Sequence, residues 1–93
     1  MTTDRDDPIA ARLMELAALR GPAKTICPSE VARSIAGSNE KEWRLLMKPI
    51  RAEAVRLAHE GRVELRRKGK RVDPDAFRGI YRIAIVDQKE SVA

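Results

Sequence analysis

The side chains able to do chemistry are few, and their spacing narrows what they can do. His59-Glu60 has the start of a helical zinc motif, in which two histidines one turn apart hold the metal and the glutamate acts as base. Position 63 is Val63, however, and His59 is the only histidine in the chain. His59 is read instead as a residue near a helix C-terminus, favoured there by the helix dipole. Gly61 and Gly69-Lys70 are too far apart for a phosphate-cradling loop, and Arg71 stands where the magnesium-binding hydroxyl would be. One cysteine and one histidine cannot complete a tetrahedral zinc site. No catalytic, cofactor or metal site is therefore expected, and the chain is not expected to be an enzyme. Cys27, just ahead of a helix start, has two readings, a redox-sensing thiol and a buried structural one, and the second is favoured.

What remains is positive charge. The net charge is +5, and it is unevenly placed. Residues 1–40 hold five basic and six acidic side chains, whereas residues 41–93 hold fourteen basic and eight acidic. Arg62, Arg66, Arg67, Lys68, Lys70 and Arg71 are opposed only by Glu64 over ten positions. Cations at this density repel one another unless an anion is near, which points to nucleic acid or an acidic surface. A second set, Lys41, Arg44, Lys48 and Arg51 with Arg56 partly aligned, recurs at helical spacing. Such a stripe fits a major groove, where Arg or Lys reaches guanine O6 and N7. The plainer reading is a solvated face paired with Glu42, Glu53 and Glu60. Only Trp43, Phe77 and Tyr81 are aromatic, too few for a platform on which single-stranded bases stack.

These cations need elements to position them. Asp7-Pro8 supplies an N-cap and a first helical residue, followed by Ile9, Leu13, Leu16, Ala17 and Arg20 at helical spacing until Gly21-Pro22. Thr25-Ile26 forms a short extended piece. Pro28-Ser29-Glu30 opens a second helix with Val31, Ala32 and Ile35 as its apolar face, and Gly37 stops it. Asn39 and Glu42 form a capping box for a third helix over residues 40–60, which places Trp43, Met47, Ile50, Ala54, Leu57 and Ala58 in the core. Pro49 predicts a kink in that helix or its division in two. Beyond Gly61 the period changes to two. Val63 and Leu65 alternate with charged residues, then Tyr81, Ile83 and Ile85 alternate with Arg82 and Ala84, giving two strands of a hairpin with a long basic tip.

This order is that of an α+β winged helix-turn-helix: three helices, a short strand and a C-terminal β-hairpin wing. At 93 residues there is room for one domain, expected over residues 8–87 between disordered segments 1–7 and 88–93. Membrane association is not expected, since no apolar run approaches the roughly 18 residues of a span. The first seven residues lack the pattern of a secretory signal, and the single cysteine suits a reducing cytoplasm.

The strings Lys24-Thr25-Ile26-Cys27-Pro28-Ser29-Glu30-Val31-Ala32-Arg33, Trp43-Arg44-Leu45-Leu46-Met47, Ala58-His59-Glu60-Gly61, Arg67-Lys68-Gly69-Lys70-Arg71-Val72-Asp73-Pro74 and Phe77-Arg78-Gly79 resemble a family of short bacterial proteins classed as a domain of unknown function. The resemblance covers residues 9–86 and implies a winged-helix fold without an established activity. The expected function is duplex DNA binding in transcriptional regulation. Lys41, Arg44, Lys48 and Arg51 would contribute from the helix, and Arg66, Arg67, Lys68, Lys70, Arg71 and Arg78 from the hairpin region. The alternatives are a winged-helix module docking an acidic protein, and shape-based RNA binding.

Overall fold

Proline is favoured in the first turn of a helix, where its missing amide hydrogen has no partner to lose. Pro8 and Pro28 use this rule to open α1 (Pro8–Arg20) and α2 (Pro28–Ala36). The computed structural model describes residues 8–86. The expected Asp7 cap and the segments expected to be disordered, 1–7 and 88–93, lie outside the described residues.

α1 buries Ala10, Leu13 and Ala17, with Ile9 and Leu16 packed partly against the same core. Ahead of α2, Cys27 is extended (φ −89°, ψ 141°), and its amide donates to Glu30 Oε1 at 3.1 Å. The Glu30 carboxylate also holds Arg20 at 2.7 Å, which ties the start of α2 to the end of α1. Partial burial pushes the Glu30 pKa upward, but the Cys27 amide and the Arg20 guanidinium outweigh it and hold this carboxyl below the ordinary glutamate value. Val31 and Ala32 are buried as expected, but Ile35 is not. It lies in the last turn of α2, where the chain leaves the core at Gly37.

The expected third helix is divided. It comprises α3 (Glu40–Trp43), a 3₁₀ turn (Arg44–Leu46) and α4 (Met47–His59). Asn39 caps α3 by accepting from the Lys41 amide at 3.0 Å, not through the box expected with Glu42. The division answers the Pro49 problem. With α4 starting at Met47, Pro49 falls in the first turn, where an amide hydrogen is not needed. The interruption therefore lies just before the proline. Ile50, Ala54 and Leu57 are fully buried, whereas Trp43 and Met47 are half-buried, less enclosed than their spacing implied.

Three strands form one antiparallel sheet in the order β2-β1-β3, with β1 at Val63–Arg67, β2 at Lys70–Arg71 and β3 at Arg82–Ile85. The expected pairing of β1 with β3 is present, with Val63 opposite Ile85 and Leu65 opposite Ile83. The turn-rich connection between them was not expected to contain a strand, yet β2 folds back onto the other edge of β1. The extended piece predicted at Thr25-Ile26 bridges the free edge of β3. The Ile26 amide donates to the Ile83 carbonyl at 2.8 Å, and the Ile83 amide returns a bond at 2.9 Å. Ile83 and Ala84 point to opposite faces and both are fully buried, so β3 is covered on both sides where an outward Ala84 was expected. The architecture is α+β: three helical segments, the third divided, around a small antiparallel sheet.

Candidate nucleic-acid interface

The β1–β2 hairpin turns through Lys68 and Gly69, whose φ angles are 53° and 80°. Two successive positive φ values define the tight hairpin turn that favours Asn-Gly. Lysine is a poor choice at the first of these positions because its Cβ crowds the backbone there. The ladder behind the turn is equally unusual, since it sets Arg66 opposite Arg71 and Arg67 opposite Lys70. Like charges directly across a ladder are destabilising. Two of the five cations are relieved internally. Arg66 donates to Glu64 at 2.6 Å, and Arg67 donates to the Ile80 carbonyl at 2.8 Å. Lys68, Lys70 and Arg71 are exposed.

Arg67 reaches Ile80 across Gly79. A β-carbon at Gly79 would stand 3.3 Å from the Arg67 guanidinium, and φ there is +79°, so this approach is suited to glycine alone. From the other side Arg51 donates to the Phe77 carbonyl at 3.1 Å. Its guanidinium lies 4.0 Å from the Phe77 ring centre and 5.8 Å from that of Tyr81. Arg51 was a candidate for the groove, but here it pins the segment 77–81, with Arg78 and Ile80 facing solvent.

The remaining helical candidates are Lys41, Arg44 and Lys48, all exposed. Arg44 is paired with Glu40 one turn back, an exposed pair of a kind that contributes little to stability. A 3₁₀ turn advances each residue by roughly 120° instead of 100°, so three such residues rotate the following stripe by about 60°. Lys41 and Arg44 therefore do not continue in line into Lys48 and Arg51. Arg56 is committed elsewhere, to Glu53 and Glu60 at 2.7 Å each. His59 Nε2 meets Asp75 Oδ1 at 2.8 Å, which fastens the end of α4 to the loop after β2. Among the described residues no three potential metal ligands cluster. No helix among them is long and apolar enough to cross a membrane.

One buried polar group was not singled out from the sequence. The Tyr81 hydroxyl is enclosed without a hydrogen-bond partner. Burial pushes its pKa up to about 12, while Arg51 pulls weakly the other way. A tyrosine whose folded pKa exceeds its unfolded value supplies stability that is full below pH ~10 and is lost as pH rises through the folded value. Tyr81 is the only tyrosine, so absorbance at 295 nm reports it alone. Its ionisation is expected near pH 12, together with loss of helical circular dichroism. A midpoint near pH 10 with the helices intact would show that the ring is open to water.

The family model described as "Protein of unknown function (DUF3253)" matches residues 6–86. The chain belongs to that family, as the strings quoted from its sequence implied. A search of curated proteins finds no match.

Proposed function

We propose that this member of the family is a winged-helix protein that binds duplex DNA, holding phosphates with the hairpin tip and presenting α3 and the start of α4 to the groove. The observation that carries the reading is the hairpin itself. Two cation-opposite-cation pairs and a lysine at a left-handed turn position are local violations that a sequence keeps where function repays the strain. A phosphate backbone is the anion that relieves them, through Lys68, Lys70 and Arg71. The winged-helix assignment draws support from the element order and from the pairing of the Ile26 segment, β3 and β1 side by side. Lys41, Arg44 and Lys48 supply the candidate groove contacts, and Arg78 a further phosphate contact beside the tip. The role in transcriptional regulation and the cytoplasmic location belong to the same proposal.

The test is a gel shift with random duplex DNA at two salt concentrations, run beside a pull-down from lysate. Retardation at low salt that weakens steeply at the higher salt is the expected result. No retardation at low salt would overturn the DNA reading. A second reading, docking of an acidic protein, is favoured by Leu45 and Ile80, two large apolar side chains that are 77% and 84% exposed. A single protein recovered by the pull-down, with no DNA bound, would select it.

For readout, Arg44→Ala is expected to weaken a selected duplex by roughly 1–3 kcal/mol and random duplex much less. Equal losses, measured by fluorescence anisotropy, would place Arg44 at a phosphate.

A further inference from the structure

Just ahead of β3 the chain leaves a large apolar side chain in water: Ile80 is 84% exposed. It helps to line an open cleft of about 420 Å³. Pro28 at the start of α2, Trp43 at the end of α3 and Met47 at the start of α4 line it too, and Gly79 adds bare backbone. Trp43 and Met47 are only half-buried, so part of each is also left to water. Apolar side chains left exposed around a concavity mark a surface that another molecule covers.

The surroundings of the cleft are cationic. The exposed Arg33 sets its guanidinium 5.5 Å from the Trp43 ring centre. Arg67 approaches Gly79, with its guanidinium 3.3 Å from where a β-carbon would stand. Lys48 and Arg78, both exposed, are the chain neighbours of Met47 and Gly79. Of the carboxylates next to lining residues in the chain, Glu30 is held by Arg20, which leaves Glu42 outnumbered. The lining itself is almost wholly apolar, so the charges of an occupant stay outside it, where these cations are. A second copy of the chain would bring the same cations against one another, whereas an acidic partner complements them. The backbone acceptors beside the cleft are already used, the Ile80 carbonyl by Arg67 at 2.8 Å and the Phe77 carbonyl by Arg51 at 3.1 Å. An added strand finds little to pair with there, but a helix needs only side-chain contacts.

We propose that this cleft docks an acidic amphipathic helix of a partner protein. The helix seats a bulky apolar side chain among Trp43, Met47 and Ile80 and sets its carboxylates against Arg33, Lys48 and Arg78. The site does not depend on DNA at the hairpin tip, and it gives the docking reading a place and a partner chemistry.

The test uses the full chain and a synthetic capped helix with leucines and one phenylalanine at positions i, i+3, i+4 and i+7 and glutamates on its other faces. One control peptide replaces the glutamates with lysines, and another replaces the apolar residues with serines. Trp43 is the only tryptophan, and the peptides contain none, so its fluorescence reports the cleft. A saturable blue shift is expected with the glutamate peptide and with neither control. Ile80→Ser, at an exposed position, should melt with the parent and lose about tenfold in affinity for the peptide. Arg33→Glu should weaken the peptide as well, by placing a like charge against it. No saturable change at millimolar peptide would overturn the proposal. So would equal binding of either control, or parent-like binding by Ile80→Ser. If the lysate pull-down still recovers a protein in those cases, docking belongs to another face.

Discussion

Replacing Lys68 with Asn, Lys70 with Thr and Arg71 with Thr is expected to leave a folded protein whose DNA affinity depends much less on salt. The substitutions give the turn the Asn-Gly pair that its backbone prefers and remove one member of each cation pair across the ladder. The triple variant should therefore melt no lower than the parent. Each lost phosphate contact flattens the slope of log affinity against log salt by about 0.9, or nearly 3 for all three. Between 50 and 200 mM salt the parent should then lose roughly 40-fold more affinity than the variant. Sequence preference should hardly change. Arg67 is left in place because it holds the Ile80 carbonyl, and its removal would disturb the segment before β3. An unchanged salt slope would show that the tip touches no phosphate.

The largest loss of stability is expected from Ile83→Ala. Ile83 is completely buried, bonds Ile26 on one side of β3 and stands opposite Leu65 on the other. Truncating a buried isoleucine to alanine costs about 2–5 kcal/mol, the higher values where the surroundings cannot collapse into the space. This site is held by backbone bonds on both edges of the strand, so a value of about 4 kcal/mol is expected. For a domain of this size each kcal/mol lowers the melting temperature by roughly 4–8 °C. A fall of about 20 °C on thermal melting is thus expected. A fall of less than about 5 °C would mean that the Ile26 bridge does not hold β3 in place.

Much of this fold is legible in the residues. Pro8 and Pro28 mark helix starts, the two-residue period of Val63-Leu65 and Ile83-Ile85 gives strands in the right pairing, and Pro49 forecasts a third helix that is kinked or divided. The errors have local causes. Lys70–Arg71 has two residues of no strand propensity, and only the turn geometry at Lys68-Gly69 places them on the edge of β1. The burial of Ala84 depends on what covers the second face of β3, which no period within the strand reveals.

The candidate site was legible as charge but not as contact. Lys41, Lys48, Lys68, Lys70, Arg71 and Arg78 are exposed, as a binding surface requires. Arg51 and Arg67 were indistinguishable from them by type and spacing, yet each reaches a backbone carbonyl in the segment 77–81, which is distant in sequence. The enclosed Tyr81 hydroxyl gave no signal, because no spacing within the sequence reveals a buried group whose partner is missing.

The outer edge of the sheet has another consequence. β2 is only two residues long, and both are exposed cations. An unpaired strand edge is a template on which a second copy of the chain can add, and natural proteins blunt such edges with short length and positive charge. The cations proposed to hold DNA would thus also keep free copies apart in the cell. Neutralising the tip, or covering it with a polyanion, would weaken that barrier, so solubility and binding are exchanged through the same three side chains.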